Sequence, residues 1–209
     1  MREERVSFPT QDGLMLEGLF SREEEGVRGW IILCHPHPLY GGNMYNNVVE
    51  SLQGSLAQKG FSTLRFNFRG VGKSEGEYSE GTGELEDVRG ALDFIATVEK
   101  DEVPLYLVGY SFGAYVGAKA VSQCERVVAL CCISPPVPFS DFSFLRDEKR
   151  PKCIIAGDRD FVCPLEKLKE FFLSLPHPKV LHIVPGADHF WWKLEDQVVA
   201  HMTDFLEGL

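Results

Sequence analysis

The chain has 209 residues, 44% of them hydrophobic and 25% charged, which are proportions of a folded globular protein and not of a disordered or fibrous one. Such a length holds one domain, or at most two small ones. With 21 Lys and Arg against 31 Asp and Glu, the formal net charge is −10, so the surface repels phosphate backbones and anionic lipid and disfavours nucleic-acid or membrane partners.

The opening Met1-Arg-Glu-Glu-Arg5 puts charge where a secretory leader needs an apolar core. The longest apolar run, residues 127–133, falls far short of the roughly 18 residues that cross a bilayer. The expectation is a cytoplasmic protein without leader or membrane anchor. Its six cysteines, Cys34, Cys124, Cys131, Cys132, Cys153 and Cys163, form no C-x-x-C pair. In that compartment they are expected as reduced, mostly buried thiols.

In chain order, strands at residues 5–8 and 14–20 flank the turn Gln11-Asp12-Gly13, an antiparallel hairpin signal. Residues 30–34 are a continuous apolar run, as in a buried central strand. Val48, Val49, Leu52 and Leu56 give helical spacing over 46–59, ended by Gly60. A strand at 61–68 and an amphipathic helix at 83–100 follow. Then come a strand at 105–108, a helix of small residues at 112–123, strands at 127–133 and 153–156, and a helix at 165–173. The last elements are a strand at 180–184 and a helix at 194–206. A hairpin followed by alternating strands and helices predicts an α/β fold: a mostly parallel sheet of about eight strands with helices on both faces. One domain is expected to span 1–209. Ligands of such sheets bind beyond the carboxyl ends of the strands, and each motif below follows a predicted strand.

The strongest motif is Gly109-Tyr-Ser111-Phe-Gly113, a G-x-S-x-G between a predicted strand and a predicted helix. A turn this tight has no room for side chains two residues either side of the serine, hence the glycines. It holds Ser111 at its tip and aims the positive amino end of the next helix at the place where negative charge would develop. A serine hydroxyl needs a base, usually a histidine held by a carboxylate. Of the downstream histidines, His189 lies in the turn-rich Pro185-Gly-Ala-Asp-His189 after the last strand, where an imidazole can reach across the strand ends. His182 alternates within a strand, His177 sits between two prolines, and His201 falls mid-helix. For the carboxylate, Asp160 in Gly157-Asp-Arg-Asp160 lies farther out on its loop than the alternative, Asp158. Asp188 is the immediate neighbour of His189 and so is badly placed to orient its ring.

Acyl transfer also requires two N–H donors for an oxyanion. Phe112, after the nucleophile, supplies one. The other is expected from His35-Pro-His37-Pro-Leu39-Tyr40-Gly-Gly42, where the prolines have no N–H and His35, His37 and Leu39 remain. His37 is preferred and Leu39 is second. His-x-His is also a fragment of some metal sites, but Pro36 stands between the two and no acidic residue follows in ligand spacing, so no metal or other cofactor is expected.

Together with Phe66-Asn-Phe-Arg-Gly-Val-Gly-Lys-Ser-Glu-Gly76, these passages resemble the α/β hydrolase superfamily. The likeness is to its small, lidless bacterial members, of the dienelactone-hydrolase-like and serine-aminopeptidase-like groups, and runs over about residues 5–207. It implies a triad of Ser111, Asp160 and His189, with backbone donors from His37 and Phe112. The chain departs from the pattern in two places: dienelactone hydrolases carry Cys at the elbow, and H-P-H-P replaces the commoner H-G in the oxyanion loop. Many relatives insert a lid where this chain has only residues 134–150, an apolar segment with Pro135, Pro136, Pro138, Phe139, Phe142 and Phe144. An open cleft is therefore expected, with Tyr40, Phe139, Trp191 and Trp192 as candidate substrate-lining side chains.

Gly70-Val-Gly72-Lys73-Ser74 ends like a phosphate-binding loop, but the required earlier glycine is Asn67, and the acidic Glu75-Gly-Glu77 follows. Arg65 and Arg69 are expected to make structural hydrogen bonds, with Asp87 on the neighbouring helix the candidate partner. The expected activity is a serine hydrolase that cleaves small carboxylic esters through an acyl-enzyme, with a small-molecule acyl compound as its partner. A thioesterase or peptidase of the same fold, and a non-catalytic binding protein, are the alternatives.

Overall fold

A computed structural model describes residues 2–23, 26–99, 103–122 and 124–209. The strands are β1 (Arg2–Pro9), β2 (Met15–Arg22), β3 (Gly29–Cys34), β4 (Phe61–Phe66), β5 (Leu105–Tyr110), β6 (Val127–Ile133), β7 (Lys152–Gly157) and β8 (Lys179–Val184). The helices are α1 (Asn47–Gln58), α2 (Gly83–Val98), α3 (Phe112–Ala120), α4 (Leu165–Ser174) and α5 (Glu195–Glu207). Met1 and the expected helix ends at Lys100 and Gln123 lie outside the described residues.

The strands form one eight-stranded sheet in the order β1-β2-β4-β3-β5-β6-β7-β8. β1 and β2 make the antiparallel hairpin, and β2 also runs antiparallel to β4. From β4 to β8 every pairing is parallel. Helices α1 and α5 pack Val48, Leu52, Leu56, Val198 and Met202 on one face. On the other face, α2, α3 and α4 bury Val88, Ile95, Val116 and Leu168. β3, β5 and β7 are buried along their whole length, which explains their nearly unbroken apolar sequences. Each fully buried large apolar side chain contributes roughly 1.5–3 kcal/mol.

β4 stops at Phe66, two residues short of expectation, because Asn67 and Phe68 turn to other partners. The Asn67 side chain accepts from the Met44 N–H at 2.8 Å, and the Phe68 N–H donates to His35 Nε2 at 3.1 Å. After β6 the chain reaches β7 through residues 134–151, which hold one 3₁₀ turn, Ser143–Arg146, and no lid domain among the described residues. Phe142 is buried against Tyr115 at 5.4 Å and stacks on Phe144 at 6.0 Å, so this short segment is folded down onto the helix layer. The cysteines are all unpaired, and all but Cys124 are buried. Among the described residues no helix is long and apolar enough to cross a membrane.

Candidate active site

The elbow lies between β5 and α3. Ser111 has φ 54° and ψ −117°, a conformation that non-glycine residues rarely adopt and that the surrounding structure must impose. Its N–H donates to the Ile133 carbonyl at 2.8 Å, which fixes the turn to the next strand. The glycines are required by space. A Cβ on Gly109 would lie 2.2 Å from the Gly113 carbonyl oxygen, and one on Gly113 would lie 2.4 Å from that of Cys34.

His189 comes from the loop after β8 and Asp160 from the loop after β7. The Ser111 Oγ lies 3.0 Å from His189 Nε2, and His189 Nδ1 lies 2.9 Å from each carboxylate oxygen of Asp160. An ionised carboxylate can only accept, so Nδ1 carries the hydrogen and Nε2 is left to accept from the serine hydroxyl. Asp160 Oδ1 also accepts the N–H groups of Val162 at 2.9 Å and Cys163 at 2.8 Å. Burial raises the Asp160 pKa, but hydrogen bonds and charge from His189, and hydrogen bonds from Ser134 and Cys163, outweigh it and keep the carboxyl below its ordinary range. The rejected carboxylates are occupied elsewhere: Asp158 accepts from the Gly186 N–H at 2.7 Å and Asp188 from the Phe190 N–H at 2.9 Å. His182 and His201 stack on each other between β8 and α5, with ring centroids 4.2 Å apart.

The loop after β3 carries the two early histidines in different roles. His35 is buried, donates from Nδ1 to the Pro36 carbonyl at 2.6 Å and accepts the Phe68 N–H at Nε2. Burial pushes its pKa down to about 4, so it is neutral. The His37 ring packs against Tyr40, Tyr78 and Phe112 at 4.8, 5.0 and 4.9 Å. With its two ring nitrogens bonded to the Leu39 N–H at 3.2 Å and the Tyr78 hydroxyl at 3.1 Å, it has no free nitrogen for a metal. The same bond corrects one expectation, because the Leu39 N–H is already occupied. The backbone N–H groups of His37 and Phe112 donate to no other group among the described residues.

A second correction concerns Trp191, expected to line the cleft. It is fully buried, with φ 61°, and its Nε1 donates to Ser134 Oγ at 3.0 Å. Ser134 in turn helps hold the Asp160 pKa down, so Trp191 stands behind a group that supports that carboxylate. It packs in the core with Val198 and Met202, where Ser134 satisfies the indole N–H, and its neighbour Trp192 takes the exposed place. The other two candidate lining residues, Tyr40 and Phe139, are exposed. Two positioning groups went unnoticed in the sequence, Ser134 and Tyr110. The Tyr110 hydroxyl donates to the His189 carbonyl, tying the imidazole loop to the strand that carries the serine. Its only sequence signal is its place beside Ser111.

The phosphate-loop alternative fails on geometry. The Lys73 N–H, which would face a phosphate, donates at 2.7 Å to the Glu17 carboxylate, which also accepts from Asn67 at 2.8 Å.

A parallel sheet flanked by helices, with a serine on a strained strand–helix turn in contact with a carboxylate-bound histidine, defines an α/β serine hydrolase. The family model for serine aminopeptidase, S33, matches residues 26–149, and the chain belongs to that family. An uncharacterized protein of Rickettsia prowazekii is 33% identical over 199 residues, covering 91% of this chain and 84% of the other. A putative α/β hydrolase structure from Agrobacterium tumefaciens superposes with a TM-score of 0.91 at 34% identity, over 98% of this chain and 95% of the other. An α/β serine hydrolase without a lid, from Xanthomonas campestris, gives 0.89 at 28% identity, over 99% and 94%.

Proposed function

We propose that the protein hydrolyses small carboxylic esters through an acyl-enzyme, with Ser111 as nucleophile, His189 as base and Asp160 as the group that orients it. The observation that carries this reading is the unbroken hydrogen-bond chain from Ser111 Oγ to His189 Nε2 at 3.0 Å and from Nδ1 to Asp160 at 2.9 Å. As Oγ attacks the carbonyl carbon, its proton passes to Nε2. The carbonyl oxygen becomes an oxyanion held by the N–H groups of Phe112 and His37, and removal of one such donor typically costs about 10²–10³-fold. The tetrahedral intermediate then expels the alkoxide, which takes the proton from Nε2. Water, deprotonated by the same nitrogen, attacks the acyl-enzyme, and Oγ leaves with that proton. These steps need no metal or organic cofactor.

The family description favours a second reading, hydrolysis of an amide at a peptide amino terminus. The steps are the same, with an amine as leaving group. A fluorophosphonate probe should label Ser111 in folded protein at pH 8, and labelling should vanish in Ser111→Ala. Turnover of p-nitrophenyl esters beside an aminoacyl anilide decides between ester and amide. No labelling, with no turnover of either, would sink both readings.

A further inference from the structure

Two exposed phenylalanines stand against the imidazole of His189. The Phe161 ring centroid is 6.3 Å from that of His189, the Phe190 centroid is 6.0 Å from it, and the two phenyl rings are 6.0 Å apart. Phe161 is 66% exposed and Phe190 49%, and because the two rings adjoin they make one contiguous apolar patch beside the imidazole. Neither sits on a loose loop. The turn around Phe161 is held by Asp160 Oδ1, which accepts the Val162 and Cys163 N–H groups at 2.9 and 2.8 Å. Phe190 donates its N–H to Asp188 at 2.9 Å, and its carbonyl accepts from Asn47 Nδ2 at 3.1 Å. The two rings therefore form a surface prepared before anything binds.

The chemistry says what that surface meets. His189 Nε2 must hand its proton to the leaving atom, so that atom comes within about 3 Å of the nitrogen. Of the aromatic rings against this imidazole, Tyr110 is buried, which leaves Phe161 and Phe190 as the exposed ones that a leaving group can reach. Tyr40, 87% exposed, belongs to the other loop, packed on His37 at the proposed oxyanion side.

We propose that Phe161 and Phe190 form a leaving-group subsite that selects esters of apolar, above all aromatic, alcohols. This rests on the acyl-enzyme reading above. Contact with one phenyl ring corresponds to roughly 10–100-fold in kcat/KM. Because the alcohol departs before water attacks, the subsite acts on acylation and not on deacylation.

The test uses acetate esters of methanol and benzyl alcohol, which share an acyl group and differ little in alcohol acidity. Benzyl acetate should exceed methyl acetate in kcat/KM by at least about tenfold. In Phe161→Ala and Phe190→Ala that ratio should fall about tenfold, with partial recovery in the Leu variants. Deacylation of the acetyl-enzyme, followed after a p-nitrophenyl acetate burst, should not share the loss. If the variants slow deacylation as much as acylation, the rings merely position His189 and the subsite is overturned. A wild-type benzyl-to-methyl ratio near one overturns it as well, while labelling of Ser111 in the same preparation leaves the hydrolase reading intact. Absence of both labelling and turnover removes that reading and the subsite together.

Discussion

Asp87 and Asp160 are both carboxylates with fully buried side chains, each bonded to a basic partner near the carboxyl ends of the strands. Asp87 faces Arg69, whose backbone N–H, Nε and Nη2 donate to it at 2.8, 2.9 and 2.7 Å. The rest of the guanidinium reaches Asp12 at 2.9 Å, so one side chain joins the β1–β2 turn, the loop after β4 and helix α2. An arginine does not release its proton, and this one turns its donors onto the two carboxylates. The result is a latch. Asp160 faces a histidine whose far nitrogen looks onto the Ser111 hydroxyl, so the proton there has somewhere to go. The two clusters share burial and geometry, but Arg69 turns its donors onto two carboxylates, whereas the His189 ring joins Asp160 to a serine hydroxyl, the link on which the proposed chemistry rests.

The largest break in this contrast should come from Ser111→Ala, which is expected to lower ester turnover by about 10⁴–10⁶-fold while leaving thermal unfolding in place. A variant that kept more than a small fraction of the activity would move the chemistry elsewhere. Asp160→Asn preserves shape but removes the charge that holds the Nδ1 hydrogen, and kcat should drop by about 10³–10⁴-fold, read in steady-state assays. On the latch side, Asp87→Ala leaves a buried arginine short of its partner. Urea denaturation should show a loss of about 3–5 kcal/mol, with the molecules that remain folded still turning over ester.

A smaller effect concerns pH. His35 has a folded-state pKa of about 4 against an ordinary 6.5, so between these values the unfolded chain holds the extra proton. Its stabilising contribution is therefore complete above about pH 6.5 and lost as the pH falls toward 4, to a total of roughly 3 kcal/mol. Urea midpoints at pH 7.5 and 4.5 should converge in His35→Asn, and an unchanged acid slope would refute the assignment. The smallest effect is expected from Tyr110→Phe, which leaves the His189 carbonyl without its donor. About 1–2 kcal/mol of stability should be lost, with a several-fold fall in kcat/KM, since the imidazole loop loses a tether.

Much of this was legible along the chain. The hairpin, the strand–helix alternation and the buried central strands follow from hydrophobic period and turn residues, which act locally. The elbow was legible because steric demand fixes glycine at two positions around Ser111. His189 and Asp160 were legible because each follows a strand whose end must lie at the same edge of a parallel sheet. Trp191 was misjudged. Two adjacent tryptophans after a turn offer no periodic clue to which faces inward, and a left-handed φ decided it. Ser134 and Tyr110 escaped for another reason: their partners, Asp160 and the His189 carbonyl, lie far away in sequence.

The sequence by itself thus determined which residue types could carry acyl chemistry and at which end of the sheet they would gather, because backbone sterics and strand polarity are local properties. Only the tertiary structure decided the strand order, the occupation of the Leu39 N–H, the burial of Trp191 and the exposure of Phe161 and Phe190 beside the imidazole. These depend on how loops from distant parts of the chain share a fixed volume, and no short stretch of sequence encodes that competition for space.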